Sequence, residues 1–342
     1  MTGRRTLWFV RGVILLSSLS IAGPAGAAAQ ATAQRSTRAK TSSATKSASK
    51  NIRSRRAARV ARAASALREA STPRYRVDSN TGSVVPDLRA AAAIIYDPHT
   101  GQVLWQENAQ DQRSIASITK VMTAVVFLES NPDLTQEVVM TRDELRGAST
   151  TYLRVNDRVT VDDLLHLLLI PSDNAAARAL ATTYPGGMDA FVERMNQKAQ
   201  DLQLESTAYA DPSGLSSDNV SSAYYMARLI TYAGSNEKIS GIMRTPEYSF
   251  QTAKHRPIIV RSTNQIVRQG DIDVVGGKTG FISKAGYCIA TLLRLPAGGP
   301  EIAVVVLGAR SNLGRFWETR HLFNWFTENA QALFSTSLQK DN

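Results

Sequence analysis

Cysteine occurs once in the 342 residues, at Cys288. No intrachain disulfide is therefore available, and a lone cysteine in an apolar stretch reads as a small core residue. Histidine occurs four times, at His99, His166, His255 and His321. They fall in a turn, an apolar helix, the basic triplet Lys254-His255-Arg256 and the last helix, and none stands beside a serine motif. A Ser-His-Asp triad has no evident members. No His, Cys and carboxylate residues recur at metal-ligand spacing, so neither a metal nor any other cofactor is expected. The one apolar run near the start, Gly12 to Gly23, is shorter than the ~20 residues that span a bilayer.

Acidic residues are also missing from the first part of the chain. Residues 1–30 carry three arginines and no acid, and residues 31–76 carry thirteen Lys and Arg against Glu69 alone. The overall charge of +11 thus belongs to the beginning, and residues 77–342 are net −4. Arg4, Arg5 and Arg11, the apolar run and Ala25-Gly26-Ala27 have the order of a cleavable export signal over 1–30. The expected location is outside the cytoplasm, in the periplasm, soluble or membrane-associated. Residues 31–80 form a basic linker. Its main part, 31–73, lacks large apolar groups and cannot offset the entropy of ordering, so disorder is expected. Electrostatic contact of this tail with an anionic envelope surface fits an exported chain. Nucleic acid does not.

From Ala90 onward the pattern is that of a folded domain, expected over 81–336 with a short tail at 337–342. Ala92 to Asp97, a Pro98-His99-Thr100-Gly101 turn and Gln102 to Trp105 read as strand, turn, strand. Ser117 to Leu128 reads as a buried helix, with Ile118, Val121, Met122, Val125 and Val126 at helical spacing. Val138 to Met140 and Tyr152 to Val155 are strand-like. Thr160 caps a helix through Leu169 that Pro171 interrupts, Ala175 starts another, and further helices run from Gly187 to Leu202 and from Ser222 to Tyr232. Tyr287 to Leu293 and Ile302 to Leu307 are strands, and Leu313 to Phe334 closes as a helix. Strands at both ends of a helical middle predict an α/β (α+β) fold, a sheet flanked by helices with a helical subdomain.

Ser117-Ile118-Thr119-Lys120 opens the first of these helices. Residues three apart share a helix face. The Ser117 hydroxyl and Lys120 amine then lie one turn apart, as a serine nucleophile activated by lysine requires. The spacing alone is cheap: Ser43/Lys46, Ser47/Lys50, Ser235/Lys238 and Ser337/Lys340 repeat it. What distinguishes Ser117 is the company it keeps. Ser172-Asp173-Asn174 follows the Thr160 helix, and Lys278-Thr279-Gly280, which occurs once, precedes the Tyr287 strand. Ser-x-x-Lys, Ser-Asp-Asn and Lys-Thr-Gly in this order are the motif set of penicillin-binding proteins and class A β-lactamases. Ser-Asp-Asn occurs again at Ser217-Asp218-Asn219, in a Gly/Ser-rich loop. The copy at Ser172 is preferred because a helix holds it.

With these motifs the sequence resembles the serine DD-peptidases of the penicillin-binding protein superfamily, and within them the D-alanyl-D-alanine endopeptidases of the penicillin-binding protein 7 type. The likeness runs from about Val85 to about Phe334. It rests on Ile115 to Ala124, Tyr184-Pro185-Gly186-Gly187, Pro212-Ser213-Gly214-Leu215-Ser216, Lys278 to Phe281 and Ala285-Gly286-Tyr287-Cys288. Asp173 departs from the Glu frequent in that type. The resemblance implies a β-lactamase/DD-peptidase-like fold with an antiparallel sheet, peptidoglycan as substrate and β-lactams as inhibitors. It implies an acyl-enzyme on Ser117, Lys120 as general base with an amine kept partly neutral by burial and by Lys278, and Ser172 as proton relay. Asn174, Lys278, Thr279 and Gly280 would bind substrate, Gly280 by leaving room along the strand edge. The backbone N–H groups of Ser117 and Phe281 would form the oxyanion hole.

Three other readings stay open. A class A β-lactamase needs a deacylating carboxylate, and the stretch from Glu205 to Gly214 has no Glu-x-x-x-Asn pattern. A D-alanyl-D-alanine carboxypeptidase of this superfamily typically continues past Lys-Thr-Gly into a second β-rich domain, whereas the residues after Gly280 suffice for two strands and a helix. A non-catalytic cell-wall binder has no need of an intact Ser117 and Lys120.

Overall fold

A computed structural model of the chain describes residues 54–79 and 81–340. The expected export signal and most of the basic linker lie outside the described residues. The first described element is a helix, α1, over residues 54–71, and the boundary between two compact units, 1–65 and 66–342, falls within it. The helix lies in the described part of the basic linker expected over 31–80. Alanine and arginine are strong helix formers even where they bury nothing. Two short antiparallel strands follow, β1 (Tyr75–Val77) and β2 (Val84–Pro86). The linker's last residues are held by main-chain groups that composition does not reveal: Arg89 donates to the Glu69 carbonyl, and His321 Nε2 lies 3.1 Å from the Ser71 carbonyl.

The expected strand–turn–strand is β3 (Ala92–Tyr96) and β4 (Val103–Glu107). Strand β5 (Arg113–Ser114) leads into a 3-10 turn, Ala116–Ile118, and helix α2 (Thr119–Glu129). Next come β6 (Glu137–Val139), α3 (Arg142–Leu145), β7 (Arg158–Thr160), α4 (Val161–Leu169), α5 (Asn174–Thr183) and α6 (Gly187–Asp201). Thr160 and Asp163 form a reciprocal capping box that starts α4. Strand β8 (Val220–Ser221) pairs with β5, and Ser222 caps α7 (Ala223–Gly234). Helix α8 (Glu237–Met243), the hairpin β9 (Glu247–Gln251) and β10 (Pro257–Arg261), and α9 (Gln265–Gln269) precede the long strands β11 (Val274–Ile282), β12 (Gly286–Arg294) and β13 (Glu301–Ala309). Helix α10 (Asn312–Lys340) follows.

The main sheet has the order β11-β12-β13-β3-β4 and is antiparallel throughout. Its strands obey the two-residue period of a pleated strand covered on both faces. Ala303, Val305 and Leu307 join one core with Ile94, while Ile302, Val304 and Val306 join a second with Ile95. The first core packs the helical middle, including Val121 and Met122 of α2, against the sheet. The second seats α10 through Phe316, Leu322, Phe323 and Phe326. The result is helix, sheet and helices in three layers, the α/β arrangement with antiparallel sheet that was expected.

One expectation needs correction and another an addition. Tyr152 to Val155 form no strand, and β6 pairs with β7 instead. Lys278-Thr279-Gly280 precedes the Tyr287 strand as expected, but itself lies inside a strand the sequence reading did not name, β11, at the edge of the sheet. Gly276, Gly277 and Gly280 dilute the β-branched signal there.

Candidate active site

Ser117 sits in the 3-10 turn before α2 rather than in the first turn of the α-helix itself. Two glycines from distant parts of the chain hold this turn. A Cβ at Gly214 would overlap the Ala116 carbonyl and lie 2.9 Å from the Ser117 Cα; a Cβ at Gly280 would lie 2.9 Å from both the Ser117 nitrogen and the Ile115 oxygen. Gly280 therefore serves the close approach of β11 to the serine turn, where the sequence suggested room for substrate. Gly214 also has φ +79°, which no other residue adopts without strain.

Lys120 is fully buried in the first turn of α2. Its Nζ lies 3.1 Å from Ser117 Oγ and donates to Asn174 Oδ1 at 2.6 Å and to the Ser213 carbonyl at 2.5 Å. Burial is the main force on this amine and lowers its pKa to about 7, against the pull of the Asp173 and Asp211 carboxylates and with a smaller push from Arg178. Lys278 is equally buried. Its pKa falls well below the ordinary lysine range, chiefly through burial, then through repulsion from Lys120 and Arg315.

The helical wall of the site comes from the turn between α4 and α5. Asn174 is the first residue of α5, and its amide also donates to the Ala148 carbonyl at 2.6 Å. Asp173 caps α5 through the Ala176 N–H and accepts from the Tyr152 N–H at 2.7 Å. Ser172 has φ +66° and faces the cleft, but Lys120 directs its hydrogen bonds to Ser117, Asn174 and Ser213. The second Ser-Asp-Asn copy contributes no residue to the cleft lining. Its Asn219 is fully buried, donates to Asp211 Oδ2 at 2.7 Å and accepts from the Ala210 N–H.

The opposite wall is β11. Thr279, Gly280 and Phe281 line a cleft of about 270 Å³ together with Ser117, Ser172 and Asn174. Thr279 Oγ1 lies 2.6 Å from the Thr263 hydroxyl, which lines the same cleft. Lys278 is behind the lining, its Nζ donating to the Thr279 carbonyl at 2.8 Å. Phe281 is half exposed and stacks on Tyr287 at 4.2 Å between ring centroids. Sequence reading missed Arg315 and Thr263. Arg315 lines the cleft from α10, donates to the Gly280 carbonyl at 2.9 Å, and burial lowers its pKa to about 10. Its only signal in the sequence was a cation on the apolar side of a helix.

The histidines lie elsewhere. His166 stacks on Tyr248 at 4.0 Å, His321 reaches the Ser71 carbonyl, and His99 and His255 are exposed. Among the described residues no three His, Cys, Asp or Glu are grouped to hold a metal, and no helix is long and apolar enough to cross a membrane.

A buried lysine one turn from a serine, facing an edge strand, is the site of a serine acyl-transfer enzyme on a DD-peptidase fold. In accord with this, the model of the family described as D-alanyl-D-alanine carboxypeptidase matches residues 79–311. The chain belongs to this family of serine DD-peptidases and is a hydrolase. It is 34% identical over 244 residues to a D-alanyl-D-alanine endopeptidase of Pseudomonas aeruginosa, covering 70% of this chain and 77% of the relative. It is 31% identical over 245 residues to the D-alanyl-D-alanine endopeptidase of Escherichia coli, covering 70% and 78%. The Streptomyces K15 DD-transpeptidase superposes with a TM-score of 0.66 at 27% identity, covering 70% of this chain and 97% of the transpeptidase.

Proposed function

We propose that the protein is an exported D-alanyl-D-alanine endopeptidase that opens D-alanyl crosslinks of peptidoglycan through an acyl-enzyme on Ser117. One observation carries this reading: a fully buried lysine amine, with pKa about 7, stands 3.1 Å from the Ser117 hydroxyl. About half of such an amine is neutral at pH 7, whereas an ordinary lysine is almost wholly protonated. Lys120 takes the hydroxyl proton as Ser117 Oγ bonds to the carbonyl carbon of the D-alanyl peptide bond. The carbonyl electrons move to its oxygen, which the Ser117 and Phe281 N–H groups stabilise. Collapse of this adduct expels the amine, which leaves with the proton that Lys120 holds, relayed through Ser172. Water, deprotonated by the same lysine, then releases the acyl group.

Asn174 and Thr279 face the substrate from opposite walls, and Lys278 holds the Thr279 carbonyl from behind the lining. Gly280 keeps β11 against Ser117. Arg315 supplies a cation beside Thr279 for an anionic substrate group. The endopeptidase reading is supported over carboxypeptidase by the spread of the likeness: the alignment spans 77% and 78% of the two endopeptidases, against 64% of the E. coli carboxypeptidase DacD at 33% identity. Because a β-lactam presents the same kind of acyl group, penicillin inhibits the enzyme by acylating Ser117. The tail before residue 66 adds electrostatic contact with the anionic envelope.

Digestion of crosslinked muropeptides tests the activity. Monomers released from dimers are the expected products; loss of terminal D-alanine alone makes the protein a carboxypeptidase. Mass spectrometry after penicillin treatment is expected to find the adduct on the peptide that contains Ser117, and an adduct elsewhere removes that residue from its role.

A further inference from the structure

Asp211-Pro212-Ser213-Gly214 has been met so far only residue by residue, yet the whole segment packs against Lys120 and the serine turn. The Ser213 carbonyl accepts from Lys120, and the Pro212 carbonyl accepts from Thr123 Oγ1 at 2.7 Å. Lys120 and Thr123 are three apart on α2, so one helix face holds two successive carbonyls of this turn. Gly214 then abuts Ala116 and Ser117. The turn has no regular structure of its own, and Asp211 organises it. One carboxylate oxygen accepts from the Ser213 N–H at 2.6 Å, the Ser213 hydroxyl at 2.5 Å and the Gly214 N–H at 2.8 Å. The other accepts from the Ser216 N–H and the Asn219 amide, each at 2.7 Å.

The donor inventory of the lysine gives this arrangement its meaning. A neutral amine has two N–H bonds and one lone pair. The Asn174 side-chain oxygen and the Ser213 carbonyl can only accept. They take both N–H bonds, and the lone pair is left for the third neighbour, the Ser117 hydroxyl. Without a fixed Ser213 carbonyl the amine rotates, and an N–H can face Ser117 in place of the lone pair.

We propose that Asp211 is a positioning residue for the general base: it fixes the 211–214 turn so that the Ser213 carbonyl aims the Lys120 lone pair at Ser117. This rests on the roles of Ser117 and Lys120 set out above. The charged groups around Lys120 are Asp173 and Arg178 from α5, Asp211 from the turn and Lys278 from β11. Asp211 is ionised. Burial opposes its charge, but the five hydrogen bonds together outweigh burial and lower its pKa. Its charge and the Ser213 carbonyl both favour the protonated amine. Loss of either lets Lys120 release its proton at lower pH.

The test is the rate of acylation of the full chain by penicillin under saturating conditions, followed against pH. Asp211→Asn is expected to slow acylation at the pH plateau roughly tenfold or more, the size of a lost orienting interaction, and to move the rising limb to lower pH. General destabilisation reduces the amount of active protein and leaves the limb in place. Ser213→Ala keeps the carbonyl and the charge and loosens only one clamp; its acylation step is expected to slow by about two- to fivefold with affinity before acylation unchanged. A folded Asp211→Asn protein with an unmoved limb overturns the proposal. So does a Ser213→Ala protein with the wild-type rate, and this second variant decides the matter if Asp211→Asn does not fold. Failure of the wild-type protein to acylate at Ser117 would instead overturn the functional reading beneath it.

Discussion

The chain writes Ser-Asp-Asn twice, and the two copies fold into different objects. At Ser172-Asp173-Asn174 the backbone turns sharply, the aspartate caps α5 and the asparagine reaches Lys120. At Ser217-Asp218-Asn219 the asparagine is a buried staple on Asp211, and Asp218 is exposed. The tripeptide alone therefore specifies nothing. What separates the copies is the helix that follows the first and the loop that closes around the second. Both asparagines still bear on the same lysine, Asn174 by direct contact and Asn219 through Asp211 and the Ser213 carbonyl.

The largest expected effect lies where the two routes meet. Lys120→Arg is expected to cut acylation by about 10²–10⁴-fold, because a guanidinium gives up no proton in the working range. In the unaltered protein acylation is expected to rise as pH passes about 7, where the amine loses its proton, and replacing His166 or His255 by glutamine is expected to leave that limb in place. Next comes Asn174→Ala, expected to lower acylation by roughly 10²-fold through loss of a contact to the base. Asn219→Ala reverses the emphasis: it strips partners from buried groups, so urea melts are expected to lose about 1–3 kcal/mol, while acylation falls less than in Asn174→Ala. Equal acylation losses in the two variants would erase the distinction between the copies. The aspartates give the smallest effects. Asp173→Ala removes a helix cap and is expected to cost about 0.5–2 kcal/mol; exposed Asp218→Ala is expected to stay within about 0.5 kcal/mol.

Much of this was legible in the residues. Helical spacing put Ser117 and Lys120 on one face, and the preference for Ser172 over Ser217 follows from the helix behind it. Burial as the cause of a weakened Lys120 was also readable, since an apolar run surrounds it. The contribution of Asp211 was not, because its carboxylate works through main-chain groups of residues that follow it, which no side-chain pattern encodes. Arg315 was hidden in the same way: it reaches the cleft only because the second core seats α10 against the sheet. The strand character of Lys278-Thr279-Gly280 was masked by the very glycine that lets β11 approach the serine turn. In the hairpin β9–β10, Tyr248 and Phe250 alternate with polar residues, which hides β9, whereas the short run Ile258-Ile259-Val260 of β10 was a signal that went unread.

The two glycines that grip the serine turn have a consequence for how the protein comes into being. Gly214 belongs to a mid-chain loop and Gly280 to an edge strand near the other end of the domain, and both press on backbone atoms between Ile115 and Ser117. A nascent chain that has completed α2 carries the serine without its seat. Contacts so distant in sequence form late, after the entropy of closing long loops has been overcome. Reactivity is therefore expected only once β11 and the 211–214 turn have both docked on the serine turn.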